Sequence, residues 1–168
     1  MNQTLQSHTV KSDIVSTSSN FPHIAVVTAT WHQDIVGNGK RAIQAEFERC
    51  QIPSANVEYF EVPGALEIPL HAKRLALSGK FDGIIACALI VNGGIYRHEF
   101  VSSAVIDGLM RVQLDTDVPV FSAVLTPINF HDSEEHQLFY EQHFIKKGTE
   151  VAQACLKTLA SLRAMDFS

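Results

Sequence analysis

The chain has little cysteine and no recurring spacing of it. Its three cysteines, Cys50, Cys87 and Cys155, are odd in number, far apart and without a C-x-x-C pair. Disulfide frameworks and zinc sites need paired or closely spaced cysteines, and neither is expected here. Reduced, buried thiols in a cytoplasmic protein fit this usage better.

The chain also lacks a strong charge imbalance and long apolar runs. Its net charge is −5, and no run of five like charges occurs, so neither nucleic acid nor an anionic membrane is an expected partner. No stretch reaches the length of a transmembrane helix. Residues 1–20 are rich in Ser, Thr, Gln and Asn and lack the basic start and apolar centre of a signal peptide.

Several catalytic and nucleotide-binding motifs are missing as well. No G-K-[ST] follows a glycine loop, and no G-x-G-x-x-G fingerprint is present, which gives nucleotide binding little support. The absence of G-x-S-x-G argues against a serine hydrolase, and the absence of H-E-x-x-H argues against a metal site.

What is present is an alternation of buried strands and amphipathic helices. With 168 residues, 46% of them hydrophobic, the chain can form one core, so we expect a single domain at 21–168. Residues 1–20 are expected to be a flexible segment, with a possible edge strand at 13–16. Strand-like runs and helical stripes predict an α/β sandwich with a central parallel sheet of about four strands and helices on both faces. The predicted strands are 23–29, 57–62, 82–91 and 119–126, and the predicted helices are 33–51, 65–78, 97–114, 133–144 and 147–164.

Two candidate binding residues follow the first two strands. Trp31 comes after strand one, where its ring is either a core residue or a platform for a flat heteroaromatic ligand. Glu67 comes after strand two, near the start of a helix. Its carboxylate is either stabilised by the positive end of that helix or accepts hydrogen bonds from a ligand, which the preceding Pro63-Gly64-Ala65 would admit closely.

A pair of glycines, Gly93 and Gly94, separates strand three from the next helix. They are either a plain tight turn or a cradle of backbone N–H groups for an anion. Arg97 and His98 follow directly, and either could meet a phosphate. Only His98 could also move protons near neutral pH.

The last third of the chain offers a serine and a histidine-rich segment. Ser122 interrupts the apolar strand four, where it either bonds to backbone or serves a ligand. His131, His136 and His143 precede or lie on the next helix. His136, near the helix start, could hold phosphate, although a solvated helix face explains the same pattern.

Taken together, these segments resemble the 6,7-dimethyl-8-ribityllumazine synthase family of riboflavin biosynthesis. Residues 62–69 (V-P-G-A-L-E-I-P) are the most specific mark, and the similarity runs from about residue 21 to 163. Residues 29–34, 93–100 and 125–127 resemble the type II branch. The resemblance implies a flavodoxin-like αβα sandwich assembled into pentamers, which in type II members pair as decamers.

The resemblance also implies roles for individual residues. Trp31 would stack on the pyrimidine of 5-amino-6-(D-ribitylamino)uracil, and Gly93 and Gly94 would cradle the phosphate of 3,4-dihydroxy-2-butanone 4-phosphate. Ser122 and His136 would come from the neighbouring subunit, His136 to the phosphate. The pyrimidine or its ribityl chain would be bound by Ala65, Leu66 and Glu67 and by the backbone of Leu89, Ile90 and Val91.

One position departs from the family pattern. Arg97 stands where most members have the histidine that carries the proton, and His98 follows one place later. Arginine stays charged at neutral pH and is a poor proton donor. Two interpretations remain open: His98 transfers the proton from a shifted register, or Arg97 acts electrostatically on the phosphate and developing oxyanions.

The implied reaction is a condensation that needs no metal or organic cofactor. The amine and ketone form a Schiff base, phosphate is eliminated, and the ring closes with loss of water. Orientation can supply much of the acceleration. The alternative is a non-catalytic flavin- or lumazine-binding assembly protein, for which Arg97 is the only support. A flavodoxin-like electron carrier or a response regulator would need an FMN phosphate loop or an acidic phospho-acceptor cluster, and both are missing.

Overall fold

A computed structural model describes residues 21–131 and 133–165. Four strands form one sheet in the order β2-β1-β3-β4. Every strand pair is parallel, with Ile24 level with both Val57 and Gly83. The strands are β1 (Ile24–Ala29), β2 (Val57–Val62), β3 (Gly83–Leu89) and β4 (Val120–Leu125). This order matches the first four strands of a flavodoxin-like sheet, as expected.

Four α-helices cover the two faces of the sheet. They are α1 (Gln33–Arg49), α2 (Ile68–Leu77), α3 (His98–Thr116) and α4 (Glu134–Met165). Helices α1 and α4 pack on one face, and α2 and α3 pack on the other. The predicted αβα sandwich is confirmed. None of these helices combines the length and apolar character needed to cross a membrane.

Successive side chains of the central strands point to opposite faces of the sheet and so contribute to two hydrophobic cores. Ala25, Val27 and Ala29 of β1 face α2 and α3, whereas Ile24 and Val26 face α1 and α4. Every residue of β1 and β3 is buried. Strands covered on both faces read as nearly continuous apolar runs, which is why their positions were predictable.

The prediction of two helices at 133–144 and 147–164 is wrong. The structure has one helix, α4, running from Glu134 to Met165. No proline interrupts this segment. Gly148 lies at the crossing with α1, where an added Cβ would stand 2.5 Å from the carbonyl oxygen of Gly39. Because Gly148 has no side chain, α4 can pack closely against α1 at Gly39 without interrupting its own helix.

The second predicted helix is also divided. Ala65–Glu67 form a 3-10 turn, and α2 proper begins at Ile68 with Pro69 in its first turn. Gly79 has φ +68° just beyond the helix, the left-handed conformation in which glycine commonly ends a helix. The predicted strand at 13–16 lies outside the described residues. At the start of α4, Oγ of Ser133 accepts a hydrogen bond from the N–H of His136 at 3.4 Å.

Candidate active site at the carboxyl edge of the sheet

The candidate residues follow the carboxyl ends of adjacent strands. The chain leaves β1 toward α1 on one face and leaves β3 toward α3 on the other. Neighbouring parallel strands whose connections diverge in this way open a crevice between their ends, where α/β sheets bind ligands. Trp31 follows β1 and the glycine pair follows β3, so they flank this crevice.

Trp31 is held by its backbone and presents its ring to solvent. The N–H of Thr30 donates to the carbonyl of Val62 at 2.8 Å, and the N–H of Trp31 donates to the carbonyl of Pro63 at 3.0 Å. These bonds extend the β1–β2 pairing beyond both strands. The indole is 65% exposed, so within a single chain Trp31 is not a core residue.

Glu67 ends the 3-10 turn that follows β2. Its Oε2 accepts a hydrogen bond of 3.0 Å from the N–H of Gly64. The carboxylate therefore caps the turn in which it lies, and the Gly64 amide is occupied rather than open to a ligand. Among the residues placed by the structure, none donates to Oε1 of Glu67, so this oxygen can still accept from a ligand. Ala65 is buried and Leu66 is exposed.

The end of β3 places its backbone at the crevice. Leu89 and Ile90 are buried and Val91 is half-buried. The N–H of Ile90 donates to the carbonyl of Leu125 at 2.9 Å, which prolongs the β3–β4 pairing. That N–H is therefore unavailable to a ligand, and the other backbone groups of this segment remain as candidates.

The two glycines behave differently. The N–H of Gly93 donates to the carbonyl of Val91 at 3.0 Å and closes a tight turn, whereas the N–H of Gly94 has no acceptor within residues 21–131 and 133–165. Neither glycine has a positive φ, and a Cβ added at either would meet no atom within 4 Å. Nothing in the described part of the chain itself requires glycine at these two positions.

Arg97 and His98 occupy the start of α3. Arg97 immediately precedes the helix, and its exposed guanidinium lies 5.6 Å from the centre of the Phe100 ring. His98 is the first helical residue, with its side chain 16% exposed and Nδ1 at 3.5 Å from Oε2 of Glu99. The histidine is therefore the more enclosed of the two and lies beside a carboxylate.

Ser122 and His136 have no direct contact with Trp31 or Glu67 in the described part of one chain. Ser122 is exposed on the edge strand β4, and its Oγ accepts a hydrogen bond from the N–H of Val124 at 3.2 Å. His136 packs in an aromatic cluster with His131, Phe130 and Tyr140, at ring-centre distances of 5.2, 6.5 and 6.3 Å. Within the described chain, neither has a hydrogen bond or ring contact with Trp31 or Glu67.

Asn92 is a site residue that the sequence did not reveal. Its Oδ1 accepts a hydrogen bond of 2.6 Å from the N–H of Phe130, which ties the glycine turn to the loop before α4. The two residues are 38 positions apart, and no local sequence pattern predicts that they pair. Phe130 in turn contacts His32 and His136, so one hydrogen bond fixes the turn relative to the aromatic cluster.

A separate groove of about 270 Å³ lies between α1 and the ends of β1 and β2. A 2.8 Å ion pair between Lys40 and Glu61 lines it and lowers the pKa of the Glu61 carboxyl. Trp31, Glu67 and the glycine turn lie outside this groove. In the portion of the chain with described positions, no three His, Cys, Asp or Glu residues gather as a metal site.

Comparison with known proteins identifies the family. Residues 22–163 match the sequence model of 6,7-dimethyl-8-ribityllumazine synthase. A protein of that name from Rhodococcus erythropolis is 54% identical over 145 residues, which cover 86% of this chain and 94% of the relative. Proteins named 6,7-dimethyl-8-ribityllumazine synthase 2 are 49% identical in Pseudomonas syringae pv. tomato (90% and 91% covered) and 51% identical in Bradyrhizobium diazoefficiens (84% and 85% covered). The chain therefore belongs to the 6,7-dimethyl-8-ribityllumazine synthase family.

Proposed function

We propose that the chain condenses 5-amino-6-(D-ribitylamino)uracil with 3,4-dihydroxy-2-butanone 4-phosphate at the carboxyl edge of its sheet. Family membership assigns it this reaction of riboflavin biosynthesis, which is that of a transferase. The observation that carries the site is the exposed indole of Trp31 lying against Gly64, whose amide holds the carboxylate of Glu67. Nothing in the relatives' names or the site geometry favours a non-catalytic assembly protein.

The pyrimidine substrate uses the side of the crevice next to β1 and β2. Trp31 stacks on its ring, since an exposed indole offers a large flat apolar surface. Oε1 of Glu67 accepts hydrogen bonds from the ring edge or the ribityl hydroxyls, and Ala65 and Leu66 contact the same substrate. The backbone groups at Leu89, Ile90 and Val91 line the other side of the ring.

The phosphate of the second substrate uses the turn after β3. At Gly93 and Gly94, neither a positive φ nor a close neighbouring atom requires glycine. The absence of side chains at these positions fits a surface that a ligand contacts. Gly94 supplies an N–H to the phosphate, and Gly93 shapes the turn that presents it. Arg97 adds positive charge beside this turn and stabilises the leaving phosphate and the developing oxyanions.

His98 carries the proton. Arginine does not release a proton at neutral pH, whereas an imidazole beside a carboxylate can be oriented by it. The imine forms as the amine attacks the ketone and water departs, phosphate then leaves, and ring closure releases a second water. Because orientation of the two reactants supplies much of the rate, no metal or organic cofactor is needed.

The site is completed by a neighbouring subunit. Within the described chain neither Ser122 nor His136 contacts Trp31, and both lie where a second copy could present them: Ser122 on the edge strand of the described sheet and His136 near the start of α4. Helix α3 also exposes Ile106, Met110 and Leu114 along one stripe, an apolar surface suited to a further copy. We propose pentamers, paired as a decamer, with His136 at the phosphate.

We further propose a cytoplasmic protein with a single domain over 21–168; the segment 1–20, predicted to be flexible, lies outside the described residues. Cys50, Cys87 and Cys155 are all free cysteines, which fits a compartment that keeps thiols reduced. The proposed decamer is tested by light scattering of the purified protein, which measures the number of subunits directly.

Mixed assemblies test the shared site. At substrate concentrations below KM, Trp31→Ala and His136→Ala subunits should each turn over more slowly than wild type, because every site lacks one binding group. Unfolding and reassembling the two together should recover a fraction of wild-type turnover, since some sites then combine an intact Trp31 with an intact His136 of a neighbour. Mixtures without recovery, although the assemblies form, would place both residues in one subunit's site. Turnover of the wild-type chain, followed by lumazine absorbance, tests the reaction itself.

A further inference from the structure

Gly64 occupies a backbone conformation that does not need glycine. Its φ of −137° and ψ of −178° are extended values that any residue adopts. The absence of a side chain must therefore be explained by what lies next to it.

The neighbour of Gly64 is the indole of Trp31. A Cβ added at residue 64 would stand 2.7 Å from both Cε3 and Cζ3 of that ring and 3.2 Å from Oε2 of Glu67. Carbon atoms in contact are about 3.5–4.0 Å apart, so the ring would have to move by roughly 1 Å. The indole rests directly on the glycine backbone.

The same residue orients the carboxylate. The N–H of Gly64 donates to Oε2 of Glu67 at 3.0 Å, which leaves Oε1 directed elsewhere. Trp31 is 65% exposed, and among residues 21–131 and 133–165 its hydrogen bond is that of its backbone N–H to Pro63, so little besides Gly64 fixes the indole. One residue thus sets the ring plane on one side and the acceptor oxygen on the other.

We infer that Gly64 is a positioning residue for the pyrimidine, with its missing side chain setting the distance between the stacking ring of Trp31 and the carboxylate of Glu67. This inference rests on the proposed function. A flat ligand that both stacks and hydrogen-bonds through its edge needs the two groups at a fixed separation. In catalysis, a misplacement of 1 Å can cost on the order of 100-fold in rate, and we expect a comparable sensitivity in binding here.

A double-mutant cycle tests the inference in the full-length protein. Gly64→Ala should weaken binding of 5-amino-6-(D-ribitylamino)uracil by on the order of 10- to 100-fold. In a Trp31→Ala background the same change should cost less than about 3-fold, because no ring remains to be displaced. Gly37→Ala is the matched control: its Cβ would meet only the Arg41 side chain, at 3.4 Å, and binding should be unchanged.

Fluorescence supplies a readout that needs no ligand. Trp31 is the only tryptophan of the chain, so the emission spectrum and anisotropy report this ring alone. Gly64→Ala should shift the emission and lower the anisotropy, and Gly37→Ala should do neither. Should Gly64→Ala fail to fold, the Trp31→Ala background should restore folding, since it removes the clash.

Each outcome separates this inference from the proposed function. If the wild-type protein and Gly64→Ala bound the pyrimidine with equal affinity, the positioning role would be overturned and the proposed function would stand. A loss of the same size in both backgrounds, or misfolding in both, would also overturn the positioning role, since Gly64 would then act independently of the ring. A wild-type chain that binds no pyrimidine would overturn the proposed function and this role with it.

Discussion

Oδ1 of Asn92 accepts a hydrogen bond of 2.6 Å from the N–H of Phe130, a residue 38 positions later. This bond joins the turn that contains Gly93 and Gly94 to the loop that leads into α4. The Phe130 ring packs against His136, the residue proposed to reach the phosphate of a neighbouring site. The geometry of the turn and that of the histidine are therefore linked.

Asn92→Ala should loosen both elements. The half-buried N–H of Phe130 would lose its acceptor, which costs about 1–3 kcal/mol of unfolding free energy. We expect KM for the butanone phosphate to rise more than KM for the pyrimidine. Asn92→Asp keeps the acceptor, so it should retain stability while its charge weakens phosphate binding. Asn38→Ala, whose amide bonds lie within α1, serves as a control. Equal changes in the two KM values would contradict the link.

Replacing the exposed tryptophan tests the stacking role. Trp31→Ala should weaken pyrimidine binding by about 1–3 kcal/mol in isothermal titration, because the ligand loses its aromatic platform. Trp31→Phe should lose less, since a smaller ring remains. The exposed position predicts little effect on the melting temperature. Unchanged affinity in a folded Trp31→Ala protein would refute the assignment.

The two cationic candidates at the start of α3 should fail in different ways. His98→Asn should lower kcat by about 10²- to 10⁴-fold, the usual contribution of a positioned acid or base, and remove one limb of the pH–rate profile. Arg97→Ala should chiefly raise KM for the phosphate substrate and keep that limb. If Arg97→Ala removed the limb and His98→Asn kept it, the proposed roles would be reversed.

Acid should weaken the contact between α1 and α4. Hydrogen bonds from Arg49 and then Gln153 lower the pKa of Glu46 from 4.5 to about 2. A carboxylate whose pKa falls on folding stabilises the fold above its unfolded pKa and loses that contribution as the pH drops. Wild-type stability, measured by urea denaturation, should therefore exceed that of Glu46→Gln at pH 6.

That difference should shrink between pH 4.5 and 2, where Glu46 takes up its proton. Glu58→Gln, on the exposed side of β2, should follow the wild-type curve. A stability difference between wild type and Glu46→Gln that stays constant from pH 6 to pH 2 would show that the charge of Glu46 plays no part.

The sequence was most informative where one local pattern decides the structure. The buried strands β1 and β3 could be placed because their runs are apolar on both faces. The unbroken α4 was not predicted, because the expected break at 145–146 does not occur and the packing of Gly148 against Gly39 joins distant segments of the chain.

The site divides in the same way. The sequence could suggest Trp31, Glu67 and the glycine pair, because each follows a strand. Two other features depend on contacts between distant segments, which no local spacing encodes. They are the hydrogen bond from Phe130 to Asn92 and the packing of the Trp31 indole against Gly64. The proposed roles of Ser122 and His136 depend on a second chain, which the sequence of one chain does not position.

The most direct measurement is the steady-state formation of 6,7-dimethyl-8-ribityllumazine by the purified wild-type protein, followed by absorbance against the spontaneous reaction of the same two substrates. We predict saturable turnover well above that background, with phosphate released in equal amount. A folded, assembled protein that binds the pyrimidine yet forms product only at the spontaneous rate would contradict the assignment of this site as catalytic.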